Sequence, residues 1–295
     1  MKIADNWKDF EIIDCSDGEK LERWGNVLLI RPDPQIIWHT PKTDYLWKKA
    51  DARYIRSSTG GGHWEFYNKI PEKWTISYGR LKFNVKNMGF KHTGLFPEQA
   101  VNWELCEKII KNTLETENRQ PKVLNLFAYT GAATVSALKA GAAVTHVDAS
   151  KGMTSWAKEN ALSSGVSGGQ VRWLVDDCLK FVEREIRRNN KYDIIIMDPP
   201  SYGRGPGGEV WKLEDKIYEL VFECSKLLTE NSKALLLNSY TTGLSPSVME
   251  YILSFVLEKK FGGNTRSYEL GLPVKDSGLF LPCGSTAVWT KSFIT

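Results

Sequence analysis

The sequence has few of the residues that build metal or redox centres. Its five cysteines, Cys15, Cys106, Cys178, Cys224 and Cys283, include no CxxC pair, and the four histidines at 39, 63, 92 and 146 share no ligand spacing. Neither a zinc site nor a disulfide framework is indicated, and reduced thiols follow. No apolar run approaches the length that spans a bilayer, and the opening MKIADNWKDFEIID has no apolar signal segment. A cytoplasmic protein is expected, with no membrane and no metal among its partners. Internal repeats and low-complexity tracts are also missing, so solenoid and disordered classes drop out. What remains, in 295 residues, is room for one large α/β domain with an appendage, or for two domains.

Charge is scarce in sum but uneven in place. The net charge is only +4, yet residues 1–40 hold five basic and eight acidic side chains, whereas residues 41–93 hold eleven and four. That second stretch also interleaves ten aromatics, among them Tyr45, Trp47, Tyr54, Trp64, Tyr67, Trp74 and Phe90, with Lys48, Lys49, Arg53, Arg56 and Lys91. Two readings fit. Cations for phosphates and flat rings for unstacked bases make a nucleic-acid surface; equally, the rings are the core of a small β-rich part and the lysines its solvated face.

Most of the order lies between residues 121 and 150, PKVLNLFAYTGAATVSALKAGAAVTHVDAS. Residues 123–127 form a short apolar run bounded by Pro121 and a small-residue turn, as a buried strand does. Residues 133–138 are small and helical in pattern, and Gly141 stands where a helix ends. Residues 143–147 are a second apolar run that hands on to Asp148. An acid at that tip of a strand–helix–strand unit accepts from both hydroxyls of a ribose; a plain helix cap is the alternative. The turn between the elements has Phe127, Ala128, Tyr129 and Thr130 before a single Gly131, so the glycine cradle that a pyrophosphate needs is missing. A ribose-bearing cofactor without phosphate is expected, of which S-adenosylmethionine is the common example.

The alternation continues beyond this unit. Helices are expected over 153–162, 179–188, 217–228 and 247–259, the last with Val248, Tyr251, Ile252 and Phe255 as its buried side. Strands are expected over 171–175, 192–197 and 234–237, and an antiparallel pair over 265–272 and 286–293. Five alternating strands and a closing hairpin make a Rossmann-like doubly wound sheet of seven strands. Upstream, Thr75 to Val85 alternates as a hairpin around Gly79 and Arg80, and Pro97 opens a helix striped by Val101, Leu105, Ile109 and Ile110. Residues 1–75, broken by Pro32, Pro34, Pro41 and the Gly60–Gly62 run, read as an irregular β-containing extension. The division expected is 1–90 for the basic, aromatic β-rich extension and 91–295 for the catalytic domain.

In an open sheet of this kind ligands gather beyond the carboxyl ends of the strands. Those ends carry residues 125–131, Asp148, Asp177 and Asp198. Asp177 is assigned to an adenine amino group, with the Cys178 amide beside a ring nitrogen; a helix N-cap is compatible with that. In Asp198-Pro199-Pro200-Ser201-Tyr202 the two prolines remove backbone donors and leave acceptors, while Tyr202 offers a face to a planar target. Asp198, Pro199, Pro200 and Tyr202 are therefore the expected catalytic group. Residues 203–208, GRGPGG, with Arg204 and later Lys212, are expected to order over the target. Cys283, in Leu-Pro-Cys-Gly, would put a thiol near the acceptor, although a buried structural cysteine is the commoner outcome.

The phrases KHTGLFPEQ (91–99), LNLFAYTG (124–131), HVDAS (146–150), the acid at 177 and MDPPSYGRG (197–205) together resemble class I S-adenosylmethionine-dependent methyltransferases of the large-subunit ribosomal RNA type (5-methylcytosine and 7-methylguanine). The resemblance runs over residues 75–293. It implies the seven-stranded methyltransferase sheet and S-adenosylmethionine contacts from Asn125, Phe127, Tyr129, Gly131, Asp148, Ala149 and Asp177. It also implies that Thr93, Phe96 and Gln99 close over the methionine end, that Asp198 to Pro200 face the acceptor, and that the substrate is a base of ribosomal RNA. Two departures stand out. The 5-methylcytosine members carry a cysteine just after the fifth strand, where this chain reads Leu237-Asn238-Ser239-Tyr240, and residues 1–75 do not read as the PUA-type domain that relatives often carry. A small-molecule methyltransferase, and an inactive RNA-binding protein of the same fold, are the competing readings.

Overall fold

The computed structural model describes residues 1–57, 61–204 and 210–292, which fall into two compact units. The first comprises Met1–Ala100 and Leu270–Cys283; the second comprises Val101–Glu269 and Gly284 onward.

The first unit opens with the two-residue β1 (Lys2–Ile3), which pairs in parallel with Leu270 and Gly271. A five-stranded sheet follows, ordered as β2 (Phe10–Ser16), β3 (Glu19–Trp24), β4 (Val27–Pro32), β5 (Ala52–Arg56) and β6 (Gly62–Phe66). All neighbours are antiparallel except β4 and β5. The β-rich character expected of this region is there, but its strands between Phe10 and Phe66 form one five-stranded sheet rather than an irregular extension. The sheet is hard to read from sequence because β3, EKLERW, buries charge. Period-two alternation puts Lys20, Glu22 and Trp24 on one face of β3 and Leu21 on the other. Leu21 packs with Ile13, Ile30 and Ala50 in an apolar core. Glu22, fully buried, takes the Arg31 guanidinium at 2.5 and 2.8 Å and the Trp24 indole N–H at 3.2 Å. Burial acts to raise the Glu22 carboxyl pKa, but Arg31 and Lys20 hold it below the usual carboxylate range. The hairpin of β7 (Trp74–Tyr78) and β8 (Leu81–Val85) has the expected register, Tyr78 opposite Leu81.

The first unit's main segment ends with a 3-10 turn, Pro97–Gln99, and α1 (Ala100–Glu117) opens the second unit, its Leu105, Ile109 and Ile110 buried as expected. The alternation then runs β9 (Lys122–Leu126), α2 (Ala132–Lys139), β10 (Ala143–Asp148), α3 (Lys151–Ser163), β11 (Val171–Val175), α4 (Cys178–Arg187) and β12 (Ile194–Met197). A short ribbon of β13 (Tyr202–Arg204) and β14 (Val210–Lys212) leads to α5 (Leu213–Ser225), β15 (Ala234–Ser239) and α6 (Pro246–Leu253). A π-helical turn (Ser254–Glu258) and the three-residue α7 (Lys259–Phe261) follow, then β16 (Asn264–Pro273) and β17 (Phe280–Thr290). The sheet has eight strands, in the order β1, β16, β17, β15, β12, β9, β10, β11, the two-residue β1 adding an edge to the seven expected. β11, β10, β9, β12 and β15 are mutually parallel, while β17 lies antiparallel against β15. The sequence leaves β9, β12 and β15 as near-continuous apolar runs because helices cover both faces of a parallel sheet.

One helix turns over relative to expectation. Val248, Tyr251 and Phe255 are exposed, while Met249, Leu253, Val256 and Leu257 are buried. Two apolar stripes at helical spacing compete here, Val248, Tyr251 and Phe255 against Met249, Leu253 and Val256, with Ile252 partly buried against the core, so spacing alone could not choose the face.

Candidate functional site

Five parallel strands end on one edge of the second unit's sheet, and their tips interlock. The 127–131 turn is forced into an unusual path: Phe127, Tyr129 and Gly131 all have left-handed φ, at 54°, 50° and 78°. Glycine is required only at the last. A Cβ on Gly131 would lie 2.6 Å from the Ala157 Cβ, so α2 and α3 approach through that gap. Phe127 and Tyr129 bear strain that two contacts offset. The Tyr129 amide donates to Asp148 Oδ2 at 2.7 Å, and the Phe127 amide donates to the Cys178 thiol sulfur at 3.2 Å.

Asp148 also accepts from the Ser150 amide at 2.8 Å. Burial raises its carboxyl pKa, and the two amides pull it down. Each oxygen has taken one backbone amide and keeps further lone-pair capacity for hydroxyl donors. Ala149 and Asp177 are exposed at the same edge, and Asp177 caps α4 by accepting from the Lys180 amide at 2.9 Å. Cys178 is buried, and desolvation holds its thiol well above the usual pKa, so it packs and does not react.

Asn125 is also buried. Its amide donates at 3.0 Å to Thr134 Oγ1, which meets His146 Nδ1 at 2.9 Å. His146 Nε2 has no partner, and burial lowers the ring's pKa to about 3. Asn125 therefore sets the strand beneath the turn with its side chain turned inward. His146 is a core residue, with one ring nitrogen satisfied.

Asp198 follows β12, half-buried, with Pro199 buried and Pro200 exposed. Tyr202 is half-exposed at the head of β13, paired in register with Lys212. Trp211 was not anticipated. Its indole donates to the Pro200 carbonyl at 2.6 Å, and its ring lies 6.0 Å from that of Phe127, so one side chain touches both the proline corner and the turn. The expectation that residues 203–208 order over a target bears on 205–209, which lie outside the described residues.

Beneath Asp198 runs a chain of four hydrogen bonds that sequence reasoning also missed. Tyr268 O–H donates to Asn102 Oδ1 at 3.0 Å, Asn102 Nδ2 to Thr286 Oγ1 at 2.9 Å, Thr286 Oγ1 to Asn238 Oδ1 at 2.8 Å, and Asn238 Nδ2 to Asp198 Oδ1 at 2.9 Å. All four donors point toward the carboxylate. Tyr268, Asn102, Thr286 and Asn238 are buried, where aligned bonds polarise one another. The signal for it was present: Asn238 is a polar residue closing an otherwise apolar strand, at the position inspected for a thiol.

Thr93, Phe96 and Gln99 belong to the first unit. Thr93 is fully buried and its hydroxyl has no partner, while Phe96 and Gln99 are half-buried around the Pro97 turn. Cys283 is in the first unit too. Its thiol is pushed well above the usual pKa, chiefly by burial and then by Glu98. A nucleophilic role at neutral pH is disfavoured.

Among the described residues no group of three or more His, Cys, Asp or Glu side chains could hold a metal ion, and no helix is long and apolar enough to cross a membrane. The edge carries Asp148, Asp176, Asp177 and Asp198, and the guanidinium of Arg184 is paired to Asp176. Carboxylates repel a pyrophosphate and suit hydroxyls, an exocyclic amine and a positively charged sulfur. Fold and edge thus define a doubly wound α/β protein for an adenosyl group without phosphate.

Comparison with known proteins agrees. The pattern of the S-adenosylmethionine-dependent methyltransferase family matches residues 50–229, and the chain belongs to that family. It is 37% identical to a SAM-dependent methyltransferase from Agrobacterium tumefaciens, with a TM-score of 0.89 over 99% of this chain and 94% of that one. A putative SAM-dependent methyltransferase from Streptococcus mutans shares the fold at 18% identity, with a TM-score of 0.71 over 97% of this chain and 76% of that one. Among curated proteins, the ribosomal RNA large subunit methyltransferase K/L of Shewanella frigidimarina is 34% identical over 59% of this chain and 24% of its own length. That of Shewanella oneidensis is 32% identical over the same shares. The chain spans about a quarter of the length of the curated relatives it matches.

Proposed function

We propose that this methyltransferase acts on a base of RNA, and that the RNA is ribosomal. S-adenosylmethionine supplies an electrophilic methyl on a sulfonium, and displacement needs the acceptor brought in line at about 3 Å. The protein's part is to hold and to orient. Asp148 takes the ribose hydroxyls; Asp177 and the Cys178 amide take the adenine edge. Phe127, Tyr129, Gly131 and Ala149 shape the wall between them, with Asn125 fixing the strand below. Thr93, Phe96 and Gln99 keep the cofactor role that resemblance gives them.

Asp198, Pro199 and Pro200 present acceptors to an amine or ring nitrogen, and Tyr202 a face for the target ring. The observation that carries the reading is the aligned hydrogen-bond chain into Asp198: the carboxylate accepts from Asn238, whose amide is itself fixed by the three bonds behind it, and so is oriented for a polar acceptor group. The curated relatives, named for ribosomal RNA, support the choice of substrate class, and such a substrate puts the protein in the cytoplasm.

Nucleoside mass spectrometry of large-subunit ribosomal RNA, with and without the gene, tests the reading. One methylated nucleoside should be lost in the deletion strain and return with the wild-type gene, but not with Asp198→Ala. An unchanged nucleoside profile would reject ribosomal RNA and favour the small-molecule reading.

A further inference from the structure

We propose that a cleft in the first unit, walled by Trp47 and Tyr67 and rimmed by Lys48, Lys49, Arg53 and Asn68, binds single-stranded RNA. This rests on the RNA reading above and adds the place and the form of the strand. The cleft measures about 550 Å³, within the range of specific small-ligand sites. The local fold explains its shape. Asp44 caps the 3-10 helix Tyr45–Lys49 by accepting from the Leu46 amide, and its short turn leaves Lys48 and Lys49 exposed while Trp47 folds under. Beyond it, Tyr67 continues past the edge strand β6, where the Tyr67 amide and the Asn68 side chain are both tied to Asp51.

Three features select the occupant. First, both rings are anchored: Trp47, packed on the apolar core with the Lys42 ammonium 4.4 Å over its ring and its indole donating to Asp14 at 2.7 Å, is the fixed wall, and Tyr67, its hydroxyl donating to Glu65 at 3.2 Å, offers the exposed face for stacking. Side chains already fixed lose little entropy when a flat partner stacks on them. Second, the cations at the rim differ. Arg53 is paired with Glu19 at 2.8 Å, whereas Lys48 and Lys49 make no ion pair among the described residues and are available for phosphates. No carboxylate lines the cleft. Third, the region is rich in exposed rings: Tyr45 and Phe66 are 69% and 57% exposed, and Tyr67 53%. A duplex keeps its base faces stacked inside and would meet only the lysines. An acidic peptide would likewise leave the rings unused. Unpaired bases use both, with stacking on aromatic faces and counterion release at the phosphates.

The test uses a fluorescein-labelled twelve-nucleotide oligouridine and fluorescence anisotropy across a salt series. The wild type is compared with Lys48→Glu/Lys49→Glu and Tyr67→Ala, and with Lys108→Glu/Lys158→Glu, which makes the same charge change at exposed positions on α1 and α3. Thermal melting of each variant guards against misfolding. The cleft double variant should flatten the log–log salt slope by about 1.4, at roughly 0.7 per lost phosphate contact, and the control should not. Tyr67→Ala should weaken binding by roughly five- to hundred-fold with the slope unchanged, and a duplex of equal length should compete poorly. If the wild type binds the oligonucleotide and the folded cleft variants bind it equally well, the cleft assignment falls and the RNA reading stands. If the wild type binds no oligonucleotide while taking polyglutamate at the same lysines, both fall.

Discussion

The two units bury charge in different ways: Glu185 of the second is fully buried, but neutral Tyr192 and Asn190 donate to its carboxylate and its arginine partners reach in from the surface. In the second, the elements that carry the cofactor edge are packed from apolar strands and small residues, with Gly131 against Ala157 as the closest approach. The first unit places a carboxylate, a guanidinium and an ammonium inside its sheet. Glu22 is bonded to Arg31 and lies 3.5 Å from the Lys20 Nζ, which reaches Asp33 at 3.0 Å. A purely apolar core tolerates loss of contact gradually, whereas a buried ion pair tolerates loss of one partner badly, because the other charge is then stranded.

The largest effect should therefore come from Arg31→Leu. Urea unfolding should show a loss of up to about 3–5 kcal/mol as Glu22 loses both guanidinium bonds and keeps only the Lys20 ammonium at 3.5 Å, and Glu22→Gln added to it should recover much of that. Gly131→Ala comes next, at about 2–4 kcal/mol, since it adds left-handed strain and a clash at Ala157. It should also weaken cofactor binding by moving the Tyr129 amide, which Arg31→Leu should not do in protein that remains folded. Asn238→Ala separates orientation from packing. It strips Asp198 and Thr286 of a partner at about 1–3 kcal/mol, and methylation should fall roughly ten- to hundred-fold while the affinity for S-adenosylhomocysteine holds.

Acid sharpens the contrast last. Burial lowers His146 to about 3 and His92 to about 4, against about 6.5 when unfolded. The unfolded chain takes up those protons first, so both histidines contribute stability that is complete above pH 6.5 and lost as pH falls toward 4 and 3. Melting temperatures across pH 4–8 should decline over that window, and His146→Gln should flatten the decline.

Legibility followed the same divide. The parallel strands of the second unit's sheet were readable from apolar runs, because strands covered on both faces leave an uninterrupted pattern, whereas the last strand, expected over 286–293, begins earlier, at Phe280. Asp148, Asp177 and the Asp198 corner were readable from their places at strand tips. The β3 strand EKLERW was not, because buried charge looks like surface until its partner on β4 is known. The face of α6 was lost because two apolar stripes at the same helical spacing compete on it. The chain from Tyr268 to Asp198 escaped because its four other members lie far apart in sequence, at 102, 238, 268 and 286, and meet only once α1, β15, β16 and β17 are assembled.

Isothermal calorimetry tests the central claim, that the second unit's strand tips hold an adenosyl group without phosphate. The wild type should bind S-adenosylhomocysteine and give no heat with a nicotinamide dinucleotide. Asp148→Asn, which keeps the shape and removes the charge, should lose at least roughly ten-fold in affinity, about 1.4 kcal/mol. Heat with the dinucleotide and none with S-adenosylhomocysteine, or an Asp148→Asn protein that binds like the wild type, would contradict it.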